Sequence, residues 1–179
     1  MYTLSDGEYR SLKNCYIHYR SLYPCITDAN CLVSRACWKT KIIHICKDIF
    51  GSIGSRSNRS AYITAYWCGE NGLIQQYDSM YFAARPGRIL YFVMHNLFID
   101  DVAHPHIFAF TEWYLPMGDV NKYKYGKNVE VWSSDLFEPL GSASFMPIQR
   151  IKSKFLHIKF ELDCKNVMAV IPRKRATCF

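Results

Sequence analysis

Apolar positions near the start of the chain follow a helical spacing. Five residues recur every three or four positions, as on one face of a helix: Tyr9, Leu12, Tyr16, Tyr19 and Tyr23. The preceding segment Ser5-Asp-Gly-Glu8 has the capping-box pattern of a helix N-terminus. The pattern therefore predicts a helix over residues 6–23 that ends before Pro24.

From residue 41 onward the spacing of apolar positions changes to two, which is typical of β-strands. Before that point, Thr27 and Asp28 indicate a short second helix that reaches Ala36. The predicted strands are Lys41–Cys46, Asp48–Gly51, Ser60–Trp67, Arg88–His95, His106–Tyr114, Val129–Trp132, Arg150–Phe160 and Asn166–Ile171. Many short strands predict a mainly β (α+β) fold, a small β-barrel or sandwich with an N-terminal helix.

The composition fits a single domain. The chain has 179 residues, of which 50% are hydrophobic, and this is enough apolar surface for one core. We expect one domain over residues 1–179, with a helical region at 1–36, a β-rich core at 41–171 and a basic tail at 172–179. No stretch resembles a secretory leader or a membrane span, so we expect an intracellular protein without a membrane partner.

Eight cysteines are present, and in an intracellular chain we expect them to be reduced and buried. Four of them lie early in the chain with at least five residues between neighbours: Cys25, Cys31, Cys37 and Cys46. This spacing lacks the C-x₂₋₄-C pair that is typical of zinc sites. Core packing is therefore their predicted role, and we expect no bound cofactor.

The net charge of +7 is unevenly distributed along the chain. Residues 150–179 contain eight Lys or Arg and two acidic residues, whereas residues 89–121 contain four acidic residues and no Lys or Arg. The basic C-terminal part indicates a polyanionic partner such as DNA or RNA. The acidic, aromatic middle indicates a cationic one.

The segment GSIGSRSNRS at residues 51–60 is rich in glycine, serine and arginine. A glycine-rich turn can bind phosphate where it leads into a helix. Here a strand is predicted to follow, and the lysine of a P-loop is missing. A solvated, mobile connection is the favoured interpretation, and the alternative is that Arg56 and Arg59 contact a nucleic-acid backbone.

Two histidines and two carboxylates lie close together between Asp100 and His106. Residues two apart on a strand share a face, so His104 and His106 are candidate metal ligands. A His-x-His pair is also found in rolling-circle nucleases, where it holds a metal beside a nucleophilic tyrosine. Because Pro105 disfavours a central strand, we expect a turn that enters the strand at His106, with solvated histidines.

Two basic clusters lie in the last part of the chain. Three cations alternate with other residues, so a strand would present them on one face: Arg150, Lys152 and Lys154. The second cluster lies near the C-terminus and consists of Arg173, Lys174 and Arg175. All six are candidate phosphate contacts, and the second cluster also fits a nuclear-import signal. The alternative is an edge strand whose cations resist aggregation.

Three segments share a pattern with a known family. Phe108–Pro116 contains Thr-Glu-Trp-Tyr-Leu-Pro, Glu130–Pro139 begins Glu-Val-Trp-Ser-Ser, and Met146–Phe155 begins Met-Pro-Ile-Gln-Arg-Ile-Lys-Ser-Lys. Together they resemble the central part of bromo-adjacent homology (BAH) domains, over about a third of the chain. The same run is similar to uncharacterised proteins encoded by eukaryotic mobile elements. The N-terminal helix and the stretch to Cys46 have no counterpart in that family.

The resemblance implies a β-barrel-like chromatin module that binds histone tails or other protein partners without catalysis. The residues point the same way, because aromatic faces attract ammonium groups and carboxylates add long-range attraction. The candidate peptide-binding residues are Trp113, Tyr114, Trp132, Glu112, Asp100 and Asp101. The competing interpretation is that the aromatic residues fill the core.

The sequence therefore predicts a non-enzymatic binding module of chromatin or nucleic-acid-associated type, which binds a basic peptide, nucleic-acid phosphates or both. The alternative is a metal-dependent nuclease of a mobile element. It would use His104 and His106 with Asp100 or Asp101 as metal ligands and a tyrosine as nucleophile. A third possibility is a structural domain within a larger assembly.

Overall fold

The computed structural model describes residues 1–19, 31–45, 48–56, 58–67, 76–78, 81–82, 84–117 and 129–173. The helix in these ranges is α1 (Asp6–Tyr19). The strands are β1 (Tyr2–Thr3), β2 (Cys31–Val33), β3 (Ala36–Thr40), β4 (Ile42–Ile45), β5 (Asp48–Gly51), β6 (Tyr62–Tyr66), β7 (Gln76–Asp78), β8 (Tyr81–Phe82), β9 (Ala84–Ile99), β10 (Val102–Pro116), β11 (Glu130–Phe137), β12 (Phe145–Pro147), β13 (Ile151–Leu162) and β14 (Lys165–Pro172). Short 3₁₀ turns lie at Asn58–Ala61, Ser142–Ser144 and Ile148–Arg150. The predicted class, mainly β with an N-terminal helix, is confirmed.

The capping box at the start of α1 forms as the sequence predicts. The backbone N–H of Glu8 donates to the Ser5 hydroxyl at 3.3 Å, and the N–H of Ser5 donates to the Glu8 carboxylate at 2.8 Å. The apolar stripe of the helix is buried against the sheet through Leu12, Cys15 and Tyr16. The predicted end of the helix at residue 23 lies outside the described residues.

The predicted second helix is wrong where the structure describes it. Cys31–Val33 forms β2 and Ala36 begins β3, and both strands pair antiparallel with β9. The 16-residue strand β9 offers a long edge of backbone donors and acceptors, and this pairing outweighs the local helix signal. Residues 27–30 lie outside the described ranges. The strands of the main sheet therefore begin before residue 41.

Strand β9 is the centre of the main sheet. It pairs antiparallel with β10 along most of its length and, on its other edge, with β2, β3 and β6. From β6 the sheet continues through β13, β14 and β11. Strand β11 then meets β10 in two residue pairs with an irregular register. The sheet therefore curls back on itself without closing into a barrel.

Two-residue turns join the longest hairpins. Asp100 and Asp101 connect β9 to β10 with φ of 48° and 61°, the positive values that a type I′ turn requires. Asp163 and Cys164 connect β13 to β14 in the same way, with φ of 50° and 59°. The expectation that residues 100–106 form a turn is therefore wrong beyond Asp101. Pro105 is tolerated because it lies near the end of the hairpin, opposite Asn96.

The core consists of three apolar clusters. One lies between α1 and the sheet and contains Tyr16, Val93 and Phe108. A second contains Phe50 of β5 together with buried side chains of β6, β9 and β10. The third lies between β10, β11, β13 and β14 and contains Trp132. In the part of the chain that is described, no helix is long and apolar enough to cross a membrane.

Candidate functional site

The three aromatic residues expected to bind a peptide are buried. Trp113, Tyr114 and Trp132 expose 2%, 1% and 2% of their surface. Trp113 packs in the second cluster, where its indole N–H donates to the Ala143 carbonyl at 2.7 Å, whereas Tyr114 and Trp132 belong to the third. Neighbours on a strand point to opposite faces, so Trp113 and Tyr114 share no surface. The rings fill the core, as the competing interpretation expects.

A cation of the same chain lies against Trp132. The guanidinium carbon of Arg85 is 4.4 Å from the ring centroid of Trp67 and 5.9 Å from that of Trp132. Arg85 also forms an ion pair with Glu138 at 2.6 Å and donates to the Tyr114 carbonyl at 2.9 Å. Burial lowers the pKa of Arg85, and the charge of Glu138 opposes this change. The cation that the aromatic residues attract is therefore an internal one.

Glu112 is also paired within the chain. Its carboxylate accepts a hydrogen bond from Arg88 Nε at 2.5 Å, directly across the β9–β10 ladder. The Arg88 guanidinium carbon lies 4.2 Å from the ring centroid of Phe137. Asp100 and Asp101 occupy the exposed turn at the end of this hairpin. The six candidate peptide-binding residues are thus divided between the core, an ion pair and a turn.

His104 and His106 lie on the same face of β10, as their spacing predicts. His104 is exposed, whereas His106 is half-buried with its ring centroid 5.6 Å from that of Tyr16. His106 also lies directly opposite His95 of β9. His95 is buried, and the sequence pattern does not indicate it as a site residue. Among the described residues, no three His, Cys, Asp or Glu side chains are grouped so that they could hold a metal ion.

The three cations expected on one strand face have different environments. Arg150 lies in the 3₁₀ turn before β13, so it does not take part in the strand alternation. Lys152 is exposed. Lys154 is partly buried, and its Nζ forms an ion pair with Asp48 of β5 at 3.1 Å. The expectation that a strand presents these three cations on one face is therefore wrong for Arg150, because the turn precedes the strand, and Lys154 is paired with Asp48 of β5.

Exposed arginines also lie next to the two strands that flank β13 in the sheet, β6 and β14. The backbone N–H of Arg173, which follows β14, donates to the Lys154 carbonyl at 2.8 Å. Arg59 is exposed in the turn before β6, and Ile63 of β6 lies opposite Lys154. We call Arg59, Lys152, Lys154 and Arg173, which lie on or next to the neighbouring strands β6, β13 and β14, the basic patch.

The connector at residues 51–60 is attached to the fold at its start. Ser52 is buried and its N–H donates to the Lys41 carbonyl at 2.9 Å, while the N–H of Ile53 donates to the Ile89 carbonyl at 2.9 Å. Arg56 is exposed. The expectation of a solvated, mobile connection therefore fails for the first residues of the segment, which pair with β-strand neighbours. Lys174 and Arg175 lie outside the described residues.

The chain matches no protein-family model, no curated protein and no solved structure. The resemblance to BAH domains therefore stays a prediction.

Proposed function

We propose that this chain is a non-enzymatic binding module that binds nucleic-acid phosphates through the basic patch. The observation that supports it best is the position of Arg173, whose backbone is hydrogen-bonded to Lys154 while Arg59 precedes the neighbouring strand. Arginine donates paired hydrogen bonds to phosphate oxygens, and such contacts give affinity that does not depend on base sequence. The proposed ligand is the backbone of DNA or RNA.

The surroundings of the patch favour a polyanion. Arg173 is followed in sequence by Lys174 and Arg175, so the C-terminal cluster continues from the patch. Asp48 pairs with Lys154, whereas Arg59 and Arg173 are exposed to solvent. A net charge of +7 adds long-range attraction to nucleic acid. A chromatin-associated, nuclear role is part of this proposal.

Alanine substitution tests the proposal. We expect the double variant Arg59→Ala, Arg173→Ala to bind a fluorescein-labelled DNA duplex about tenfold more weakly, because each phosphate contact contributes a severalfold factor. Lys165→Ala is the matched control, since Lys165 is an exposed cation at the opposite end of β14. Equal affinities for the wild type and the double variant would contradict the proposal.

Binding of a histone tail or other basic peptide stays a separate prediction. The rings of Trp113, Tyr114 and Trp132 would have to leave the core, and Arg85 would have to be displaced, before a peptide could reach them. A histone-peptide array tests this prediction. Binding that is reproducible and specific for a modified lysine would support it, and a blank array would remove it.

The nuclease alternative also stays a prediction, with His104 and His106 as its candidate ligands. Metal analysis of the purified protein and a nicking assay on single-stranded DNA test it. A bound metal together with cleavage in Mg²⁺ or Mn²⁺ would favour the nuclease over the binding module. If the purified protein holds no metal and cleaves no DNA, the binding module is the simpler account.

A further inference from the structure

His95 joins α1 to the sheet through both of its ring nitrogens. Its Nδ1 is 2.9 Å from the Tyr16 hydroxyl, and its Nε2 is 2.9 Å from the Ser34 carbonyl oxygen. A carbonyl only accepts, so Nε2 carries the proton and donates, and Nδ1 accepts from Tyr16. His95 is 1% exposed. The uncharged imidazole therefore satisfies both partners. A second ring proton would reverse the bond to Tyr16, so that Nδ1 donates to the hydroxyl oxygen, and it would leave a cation in a buried site.

A second imidazole lies beside the first. His106 is directly opposite His95 in the β9–β10 ladder, and the Tyr16 ring contacts both, with centroid distances of 5.5 Å to His95 and 5.6 Å to His106. Directly opposed residues of a ladder have side chains close enough to interact, and like charges in this position repel. Protonation of both rings would place two cations beneath the same helix residue.

The groups that face His95 offer it no anionic partner among the described residues. They are Tyr16 and Cys15 from α1, Cys37 and Lys39 from β3, and His106 and His104 from β10. Burial raises the pKa of Cys37, so its thiol stays protonated. Lys39 is a cation, and it holds the nearby carboxylate of Glu8 at 3.2 Å. An imidazolium at His95 would therefore be buried without compensation.

We propose that the packing of α1 on the sheet is a pH-sensitive switch in which uncharged His95 and His106 retain Tyr16, and proton uptake loosens the helix while the strands stay paired. Burial lowers the pKa of both histidines from the ordinary value of 6.5. The loosened state restores that ordinary value, so it binds protons more readily. Helix packing is therefore complete above pH 6.5 and weakens as the pH falls from 6.5 through the lower pKa values of the packed state.

Amide hydrogen exchange tests the switch on the intact chain, since it separates the helix from the strands. We expect protection of residues 6–19, corrected for intrinsic exchange, to fall about tenfold or more between about pH 7.5 and about pH 5.5. Protection in β9 and β10 should change much less. This measurement needs only the wild type. Equal protection of α1 at both pH values would overturn the proposal, and so would a loss of α1 protection that matches the loss in the strands.

A variant pair then assigns the effect to the histidines. His106→Gln keeps a polar, half-buried side chain that cannot take up a proton, so we expect it to reduce the acid loss of helix protection by about half on a logarithmic scale. His44→Gln is the matched control, because His44 is exposed in β4. A His106→Gln variant that loses helix protection as the wild type does would overturn the proposal.

Discussion

Gly87 of β9 lies directly opposite Trp113 of β10, and the indole ring occupies the space that a side chain at Gly87 would need. A Cβ atom at Gly87 would lie 2.9 Å from Trp113 Cε3 and 2.7 Å from Thr111 Cγ2. Contacts shorter than 3.0 Å would force the neighbouring atoms to move. The glycine therefore allows Trp113 to fold over β9 into the core.

Substitution of this glycine tests the packing. We expect Gly87→Ala to lower the free energy of unfolding by about 2 kcal/mol, because the added methyl group overfills the core. The matched control is Gly7→Ala in α1, where no atom lies within 4 Å and alanine should stabilise the helix by about 0.5–1 kcal/mol. Urea denaturation measures both. An unchanged free energy for Gly87→Ala would show that Trp113 moves freely.

The internal cation should also contribute to stability. We expect Arg85→Ala to lower the free energy of unfolding by about 3 kcal/mol, because it removes one partner of a largely buried ion pair and the group that lies against Trp67. Arg85→Lys should recover little, since the guanidinium bonds Glu138 through one nitrogen and the Tyr114 carbonyl through the other, and an ammonium group lacks this planar fork. Arg10→Ala, at an exposed helix position, should change the free energy by less than about 0.5 kcal/mol.

The capping carboxylate should make stability depend on acid pH. Burial alone would raise the pKa of Glu8, but hydrogen bonds from Tyr91, Ser5 and Lys39 outweigh it and lower the pKa from 4.5 to about 2. The carboxylate therefore stabilises the fold above pH 4.5, and this contribution is lost as the pH falls from 4.5 to about 2.

Glu8→Gln should remove this part of the pH dependence. At neutral pH we expect it to lower the free energy of unfolding by about 1–2 kcal/mol, because hydrogen bonds to a charged acceptor are replaced by weaker ones. Urea denaturation at several pH values measures the effect. Glu161→Gln, at an exposed position of β13, is the control. A steep loss of stability between pH 4.5 and 2 that persists in Glu8→Gln would assign it to another group.

The hairpin turn offers a substitution that should stabilise the protein. Asp100 and Asp101 both have positive φ, a conformation that asparagine and glycine adopt at less cost. We expect the double variant Asp100→Asn, Asp101→Gly to raise the thermal unfolding midpoint, with a gain of about 0.5–1 kcal/mol. If these carboxylates also attract a basic peptide, the same variant should bind that peptide more weakly. A lower midpoint would argue against the type I′ turn.

The local features of this fold could be predicted from the sequence, because they depend on neighbouring residues. The capping box at Ser5 and Glu8 and the hairpin of β4 and β5 need only short-range spacing. The second helix failed because the partner of residues 31–33 is β9, more than 60 positions away. A short window of neighbouring residues does not contain the distant strand, so such pairing cannot be predicted from it.

The candidate site was harder to predict for the same reason. Trp113 and Tyr114 look like a binding pair in sequence, but strand alternation sends one ring to each face, and burial depends on the strands that cover them. The internal partner of the aromatic residues, Arg85, comes from the start of β9. The hydrogen bond from the backbone of Arg173 to Lys154 follows from the pairing of β13 with β14, which spacing alone does not reveal.

The salt dependence of DNA binding tests the central claim, that the basic patch binds phosphate, most directly. The logarithm of the binding constant should fall linearly with the logarithm of the salt concentration. We predict that Arg59→Ala with Arg173→Ala makes this slope shallower by about 2, one phosphate contact for each arginine, and that Lys165→Ala leaves it unchanged. A slope that is the same in the wild type and the double variant would contradict the claim.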